Sequence, residues 1–524
     1  MAEDHTRPVD RPYLDLATAD GSPPRLSVPG APRDRGASGR SPIVHSPPER
    51  RSKPEGDDVT TQTPTTPTRT LQDVLDSVPS LVDHLYRNRK GSVLKDAVLR
   101  QPTEFVAPEY TTWRDEQRAW REGIAFYDQS FHMTTTYLRG PDAQRLLSSL
   151  AVNSFETFGV GRSRHLVCCS PDGYLIGDGI LYSVAPEEMV LVGRAAGHNW
   201  VRFCAETGGW DVSIEADEIF SNNPAGRRTV YRYPVEGPHA PARVEQLTGA
   251  PLPEAPWSHI FPVSIAGHHV WAQRHTMAGN PGCEFFGPWD EGPAVKEAIL
   301  EAGSAFKLRR VGSLAYFTNA LELGWIPRPM PAIFTGDELR PFREWLPATS
   351  EEATWALGGS FNAPDIQDYY FTPRELGYGN VIKFDHDFVG REALERTAGD
   401  DQRRKVTLVW NPADVARVVE SYMRPEELPA LYIEFPRATY ATWQYDAVHD
   451  DQGRTIGAST YTGVSWNERA MLSLAVVEPE YAKPGTRVSV IWGEPEGGAK
   501  SPWLEPHRQM EIGATVAPAP IGKK

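Results

Sequence analysis

Cysteine is scarce in this chain. The 524 residues hold four, Cys168, Cys169, Cys204 and Cys283, and no two form a C-x-x-C pair. A disulfide framework or a thiolate zinc site is therefore not expected, and a reducing cytoplasm fits. Basic charge is also short: 54 Lys and Arg against 69 Asp and Glu leave a net charge of −15. Phosphate backbones are bound through clustered Lys and Arg, so a general nucleic-acid binder is not expected. One or two buried arginines would still suffice for a small anion. No apolar run reaches the ~18 residues of a membrane span, and no membrane partner is expected. The opening Met-Ala-Glu-Asp-His lacks the basic and apolar regions of a signal peptide. There is no G-x-G-x-x-G after a strand, no P-loop and no internal repeat. Nicotinamide and nucleotide-triphosphate readings thus lose their usual support. Neighbouring His268 and His269 in a strand point to opposite faces, and no metal site is expected.

What is present divides the chain into three. Residues 1–70 are rich in Pro, Arg, Asp, Ser and Thr and lack aliphatic periodicity. Such a segment cannot bury enough apolar surface to offset its chain entropy, so it reads as a disordered tail. Residues 71–404 alternate helical and strand patterns. Trp113 to Gly123 is a charged helix with Trp113 and Trp120 on one face. Val295, Ala298, Ile299, Ala302 and Phe306 form a helical stripe, and Val263 to Ala272 reads as a hairpin around Gly267. Residues 405–524 read as short strands between turns, a small β-barrel or sandwich. The expected strands there include 405–410, 431–435, 471–477 and 487–492. The fold class is α+β.

The densest information lies between Phe126 and Val184. A short strand carrying Asp128, Gln129 and His132 leads through Gly140-Pro141-Asp142 into a helix. Ala143, Leu146, Leu147 and Leu150 recur there at i, i+3, i+4, i+7, one buried stripe. Pro141 and Asp142 suit the first turn, where a missing N–H costs nothing and negative charge meets the helix dipole. Val167 to Cys169 and Ile180 to Tyr182 then flank a Ser170-Pro-Asp-Gly173 turn as a hairpin. This geometry would equally serve an ordinary α+β domain.

Several further runs carry a resemblance. Gly279-Asn-Pro-Gly-Cys-Glu284 is similar to a T-G-E-x-G-x-E motif, and Leu321-Glu322-Leu-Gly324 to L-R-x-E-x-G. Thr372 to Phe384 (TPRELGYGNVIKF) and Asp387 to Leu394 (DFVGREAL) follow in the same order. Together these resemble the glycine-cleavage T-protein superfamily over residues 75 to 500. The resemblance implies a T-protein-like, multi-domain folate-binding fold with a C-terminal β-barrel, and tetrahydrofolate as cofactor. Trp113 to Trp120, Asp128-Gln-Ser-Phe-His-Met133, Gly287-Pro-Trp289 and Tyr316 to Trp325 resemble most the tetrahydrofolate-dependent aryl O-demethylases. These remove the methoxy methyl of vanillate- and syringate-like acids.

That likeness implies a small-molecule methyl donor, an aromatic carboxylate. It places Gln129, His132 and Met133 in the donor pocket and Arg194 on the donor carboxylate. It makes Tyr316 catalytic, with His132 beside it, and puts Glu284, Glu322, Trp325 and Asp178 on the folate. Two departures weigh against glycine-cleavage chemistry. Gly177-Asp178 replaces the paired aspartates of T-proteins, and Tyr316 stands where they have arginine. A tyrosine that precedes the W-R-D-E-Q helix in vanillate-type enzymes falls at Thr103 or Phe105. The alternatives are an aminomethyltransferase, a demethylase of an amine or sulfonium donor, and a non-catalytic folate-binding protein. The sequence does not address the oligomeric state, the tail's role or a lipoyl carrier. A tyrosine hydroxyl, with a pKa of about 10, matches a departing phenolate, which suits a general acid.

Overall fold

The structure, a computed structural model, describes residues 69–90, 105–223, 225–250, 258–274, 279–304 and 306–521. The expected tail lies outside them except for its last two residues. Among the described residues, three β-layers organise the chain. An antiparallel five-stranded sheet takes the order 162–169, 175–185, 188–193, 134–139, 213–217. A six-stranded sheet takes the order 308–310, 124–126, 230–236, 282–288, 268–274, 260–265, with only its first pair parallel. A closed barrel joins 404–410, 470–477, 455–465, 446–449, 487–492 and 510–517. No described helix is long and apolar enough to cross a membrane.

The helical stripe expected after Gly140 is the helix Ala143–Leu150, and Ala143, Leu146, Leu147 and Leu150 are all buried. Its apolar face joins a core that also takes Leu166, Leu181 and Leu191 of the five-stranded sheet and Leu472, Leu474 and Val476 of the barrel. The helix Trp113–Glu122 buries Trp120 completely and turns Trp113 against Trp466. The helix Gly292–Ser304 buries Val295 and Ile299 but stops before Phe306, which packs from the following turn.

One expected strand is absent. Residues 431–435 alternate as a strand should: Leu431 and Ile433 are buried while Tyr432 is exposed. Two of their backbone groups, the Leu431 carbonyl and the Ile433 N–H, pair with side chains instead of a neighbouring strand. Tyr422 Oη donates to the Leu431 carbonyl (3.0 Å) and accepts from Ile433 N (2.7 Å), and Trp492 Nε1 donates to the same carbonyl (2.7 Å). An extended loop held by side chains in this way has the same two-residue periodicity as a sheet strand.

The barrel also buries a carboxyl. Asp446 is fully buried, with Oδ2 accepting from Gln444 Nε2 at 2.7 Å and Oδ1 unpartnered among the described residues. Burial, with the negative Glu494 nearby, pushes Asp446 up to about 7. An acid raised on folding favours the native state while both states are protonated. That contribution is lost as pH climbs from the ordinary carboxylate range to about 7, and is flat above. Asp446→Asn removes the titration. Its stability relative to wild type should therefore rise by roughly 2–4 kcal/mol between pH 5 and 8, read from denaturant unfolding at the two pH values. A constant difference would show that Asp446 titrates alike in both states.

Candidate active site

The segment from Tyr127 to Met133 crosses between the two open sheets, and its backbone shape is fixed locally. Tyr127 N and Gln129 N donate to Pro234 O and Arg232 O, both at 2.9 Å. The Asp128 carboxylate accepts from Ser130 N (3.2 Å), Ser130 Oγ (2.7 Å) and Lys296 Nζ (2.7 Å). Phe131 anchors the turn among Phe105, Phe220 and Trp289. Gln129, His132 and Met133 are thereby presented to one cavity of about 410 Å³. Phe105, one of the two positions aligned with the vanillate-type tyrosine, belongs to this aromatic anchor and is not a cavity wall; Thr103 lies outside the described residues.

Tyr316 enters the cavity from the short helix Ser313–Tyr316. Its hydroxyl lies 2.9 Å from His132 Nε2, and the two rings meet edge to face at 5.0 Å. Tyr316 is 8% exposed and His132 5%. Burial pushes the Tyr316 hydroxyl well above the ordinary phenol range; the Arg194 guanidinium opposes this and the Glu284 carboxylate adds to it. The simple match to a phenolate leaving group is therefore displaced. The resting hydroxyl stays protonated, the state a hydrogen-bond donor needs.

Arg194 follows the strand Glu188–Gly193 and caps the helix Ala195–Thr207 in extended backbone conformation. It lines the main cavity and also an adjoining one of about 330 Å³, which shares His132 and Gly193 with the first. The same helix explains a sequence departure. A Cβ at Gly177 would stand 2.5 Å from Gly197 N, so the strand Leu175–Ala185 meets the helix too closely for a first aspartate.

On the neighbouring strand Asp178 Oδ2 accepts from Tyr378 Oη at 2.9 Å and lies 2.7 Å from His165 Nε2. Trp325 Nε1 donates to Tyr378 Oη at 3.0 Å. Burial alone would raise Asp178, but His165, Tyr378 and Arg194 together hold it below the usual carboxylate range. Glu284 Oε1 is ion-paired to Arg232. Arg232 Nη2 donates to Tyr182 Oη (2.9 Å), which donates to Gln273 Oε1 (2.9 Å), whose amide reaches Ser163 Oγ (2.8 Å).

Eight of the nine residues singled out in the sequence line this one cavity: Gln129, His132, Met133, Asp178, Arg194, Glu284, Tyr316 and Trp325. Glu322 does not, which corrects its assignment to the folate. It is 5% exposed and faces away, accepting from Trp120 Nε1 (3.0 Å), Arg121 Nε (3.1 Å), Ser465 Oγ (2.7 Å) and Asn467 Nδ2 (3.0 Å). Its neighbours Leu323 and Trp325 take the cavity side. Sequence reading missed Arg232, His165 and Tyr378 as wall residues. Tyr378 lay in a run already quoted for the resemblance. A buried arginine in the strand Val230–Glu236 was the one available signal for Arg232.

The wall has the polarity a pterin ring requires. Arg232 Nη1 and Gln129 Nε2 are buried donors without a partner among the described residues, and Glu284 Oε2 and Asp178 Oδ1 are acceptors left over from the contacts above. Unpaired buried donors are costly, so a ligand offering acceptors fits here.

Two open sheets lining one such cavity, with a closed barrel beside them, give the fold of an aminomethyltransferase-type protein. The GCVT N-terminal domain model matches residues 83–327. The chain is 42% identical over 452 residues to a syringate O-demethylase of a Sphingobium species, covering 86% of this chain and 96% of that one. It is 28% identical over 410 residues to a sesamin methylene transferase of a Sinomonas species, covering 75% and 87%. An aminomethyltransferase of Streptomyces avermitilis is 26% identical over 384 residues, covering 72% and 84%. In fold, the aminomethyltransferase T of Bartonella henselae superposes with a TM-score of 0.53 at 17% identity, covering 83% of this chain and 94% of that one. The chain belongs to the GCVT aminomethyltransferase family, together with the syringate O-demethylase.

Proposed function

We propose that the protein is a tetrahydrofolate-dependent O-demethylase that takes the methyl group of a methoxylated aromatic acid. The observation that carries this reading is the Tyr316–His132 hydrogen bond at 2.9 Å, set in one cavity that Arg194, Asp178 and Glu284 also line. A guanidinium beside a phenolic hydroxyl suits a donor with a carboxylate at one end and an aryl ether at the other. The folate supplies the amine nitrogen N5 that receives the methyl group. Glu284, Arg232, Asp178 and Trp325 would hold its pterin, the first two pairing with ring donors and acceptors and Trp325 offering an aromatic face.

Tyr316 donates its hydrogen to the ether oxygen as the carbon–oxygen bond breaks. The charge on that oxygen develops only in the transition state, so this bond strengthens there and accelerates the step. His132 orients the Tyr316 hydroxyl and is placed to return a proton to it. Gln129 and Met133 shape the donor side. Arg194 also pulls the Tyr316 hydroxyl back towards the ordinary range, so a donor carboxylate that screens it would change the acid it works with.

The test follows the methyl group. With a methoxybenzoate labelled with ¹³C in its methoxy carbon, tetrahydrofolate should be converted to 5-[¹³C]methyltetrahydrofolate and the free phenol should appear in equal amount. A labelled 5,10-methylene product would move the protein to methylene transfer. No labelled folate with any methoxylated acid would overturn the reading.

A further inference from the structure

The cavity is lined by two hydrogen-bonded side-chain groups, and the proton transfer above uses only one of them. Methyl transfer to an N–H amine needs a proton delivered to oxygen and another removed from nitrogen. Tyr316 and His132 serve the oxygen. The second group is Trp325, Tyr378, Asp178 and His165. We propose that His165 is a positioning residue for the nitrogen side: with Tyr378 it fixes the Asp178 carboxylate so that Oδ1 faces the cavity and accepts the proton leaving the folate nitrogen. This inference rests on the folate-dependent reading.

The directions of the hydrogen bonds carry the argument. An indole N–H can only donate, so Tyr378 Oη accepts from Trp325 and its own hydrogen goes to Asp178 Oδ2. Oδ2 also faces His165 Nε2 at 2.7 Å, so that nitrogen carries a hydrogen when the carboxylate is ionised. Two donors therefore saturate Oδ2. Oδ1 has no hydrogen bond among the described residues, and Asp178 is a cavity wall residue. The two supporting rings brace each other edge to face at 4.8 Å. Buried carboxylates rotate and take up protons when their donors are lost; here two of three supports are these side chains, and Arg194 is the third.

The step balances without redox change. The ether C–O bond breaks with its electron pair leaving on oxygen, which takes the proton offered at Tyr316. The methyl C–N bond forms from the nitrogen lone pair, and the N–H proton goes to Asp178 Oδ1. Tyr316 regains a proton and Asp178 loses one to solvent before the next turnover.

The charged and titratable groups around His165 are few. Asp178 and Tyr378 touch it; Arg194 acts on Asp178 from the next strand end; Lys405 acts on Asp178 from the barrel strand Arg404–Trp410. Burial brings Lys405 down to about 8 against the opposing pull of the Asp178 carboxylate, so its titration falls on the alkaline limb. Arg164, the adjacent residue, lies over the Phe155 and Phe158 rings instead.

The experiment compares His165→Phe and His165→Gln with wild type on a labelled methoxy acid across pH 5.5 to 9.5. Wild-type label transfer establishes the overall reading independently. Loss of His165 removes an influence that keeps Asp178 ionised, so the acid limb of kcat should move to higher pH. For His165→Phe, kcat should fall about 10- to 100-fold near pH 6 and recover most of that by pH 9, with the folate KM within about threefold. His165→Gln retains an N–H donor and should stay within about threefold of wild type. An unmoved acid limb in His165→Phe overturns the proposal, whatever the size of kcat. So does a raised folate KM with normal kcat, which would make His165 a binding residue. If His165→Phe does not fold, Tyr378→Phe removes the other donor to Oδ2 and must shift the limb in the same direction.

Discussion

Replacing Tyr316 by Phe should lower kcat for aryl-ether cleavage by about 10²- to 10⁴-fold, with the folate KM nearly unchanged. The substitution removes one hydroxyl and keeps a ring that packs edge to face on Tyr127, His132 and Phe317. The fold should therefore survive, and thermal unfolding checks this. The lost interaction is made to a charge that exists only as the bond breaks, so the deficit falls on kcat. Donors with a more acidic phenol as leaving group need less help and should lose less. A slope of log kcat against leaving-group pKa that steepens in the Phe variant would be the expected signature. Turnover near the wild-type level across the series would remove Tyr316 from the mechanism and make His132 the next residue to replace.

Much of the cavity was legible because its residues sit in runs whose order matches the family and whose local chemistry is self-contained. Asp128 to Met133 is one such run: the acid that braces the turn and the side chains the turn presents lie within six residues. Arg194 sits just past a strand end, where a polar side chain reaches a cavity without crossing a core. Arg232 was not legible, since its meaning lies in a partner 52 residues away on the neighbouring strand. Tyr316 was singled out by position, but the acidity of its hydroxyl was not: that is set by burial, Arg194 and Glu284, none of which is local to Tyr316. The barrel was visible in alternation, and the same signal misled at 431–435. Periodicity reports an extended chain with one buried side, and it is silent on whether strands or side chains satisfy the backbone. The helix at Asn319–Leu323 shows the same limit. A run of matching letters places a carboxylate near a site without saying which face of the helix it takes.

Glu322 is the residue for which that limit matters most, and its replacement by Ala should be among the most destabilising single changes in the chain. The carboxylate joins three parts of the molecule: the helix Trp113–Glu122 through Trp120 and Arg121, its own helix, and the barrel turn through Ser465 and Asn467. Removing it leaves the buried Trp120 indole N–H and the Ser465 hydroxyl without their acceptor. Arg121 would keep Glu468 as an ion-pair partner, so its charge is not stranded. The cost should be about 3–5 kcal/mol, the range for deleting one member of a buried charged network. Glu322→Gln keeps one acceptor oxygen but points an amide at donors, and should fall between Ala and wild type. Trp120→Phe removes one of the donors. Combined with Glu322→Ala, it should cost less than the sum of the two, because the unpaired indole is then absent. Denaturant unfolding of the four proteins measures this cycle, and folate affinity at a temperature where all are folded should differ little among them. A large loss of folate affinity with unchanged unfolding would return Glu322 to the cavity.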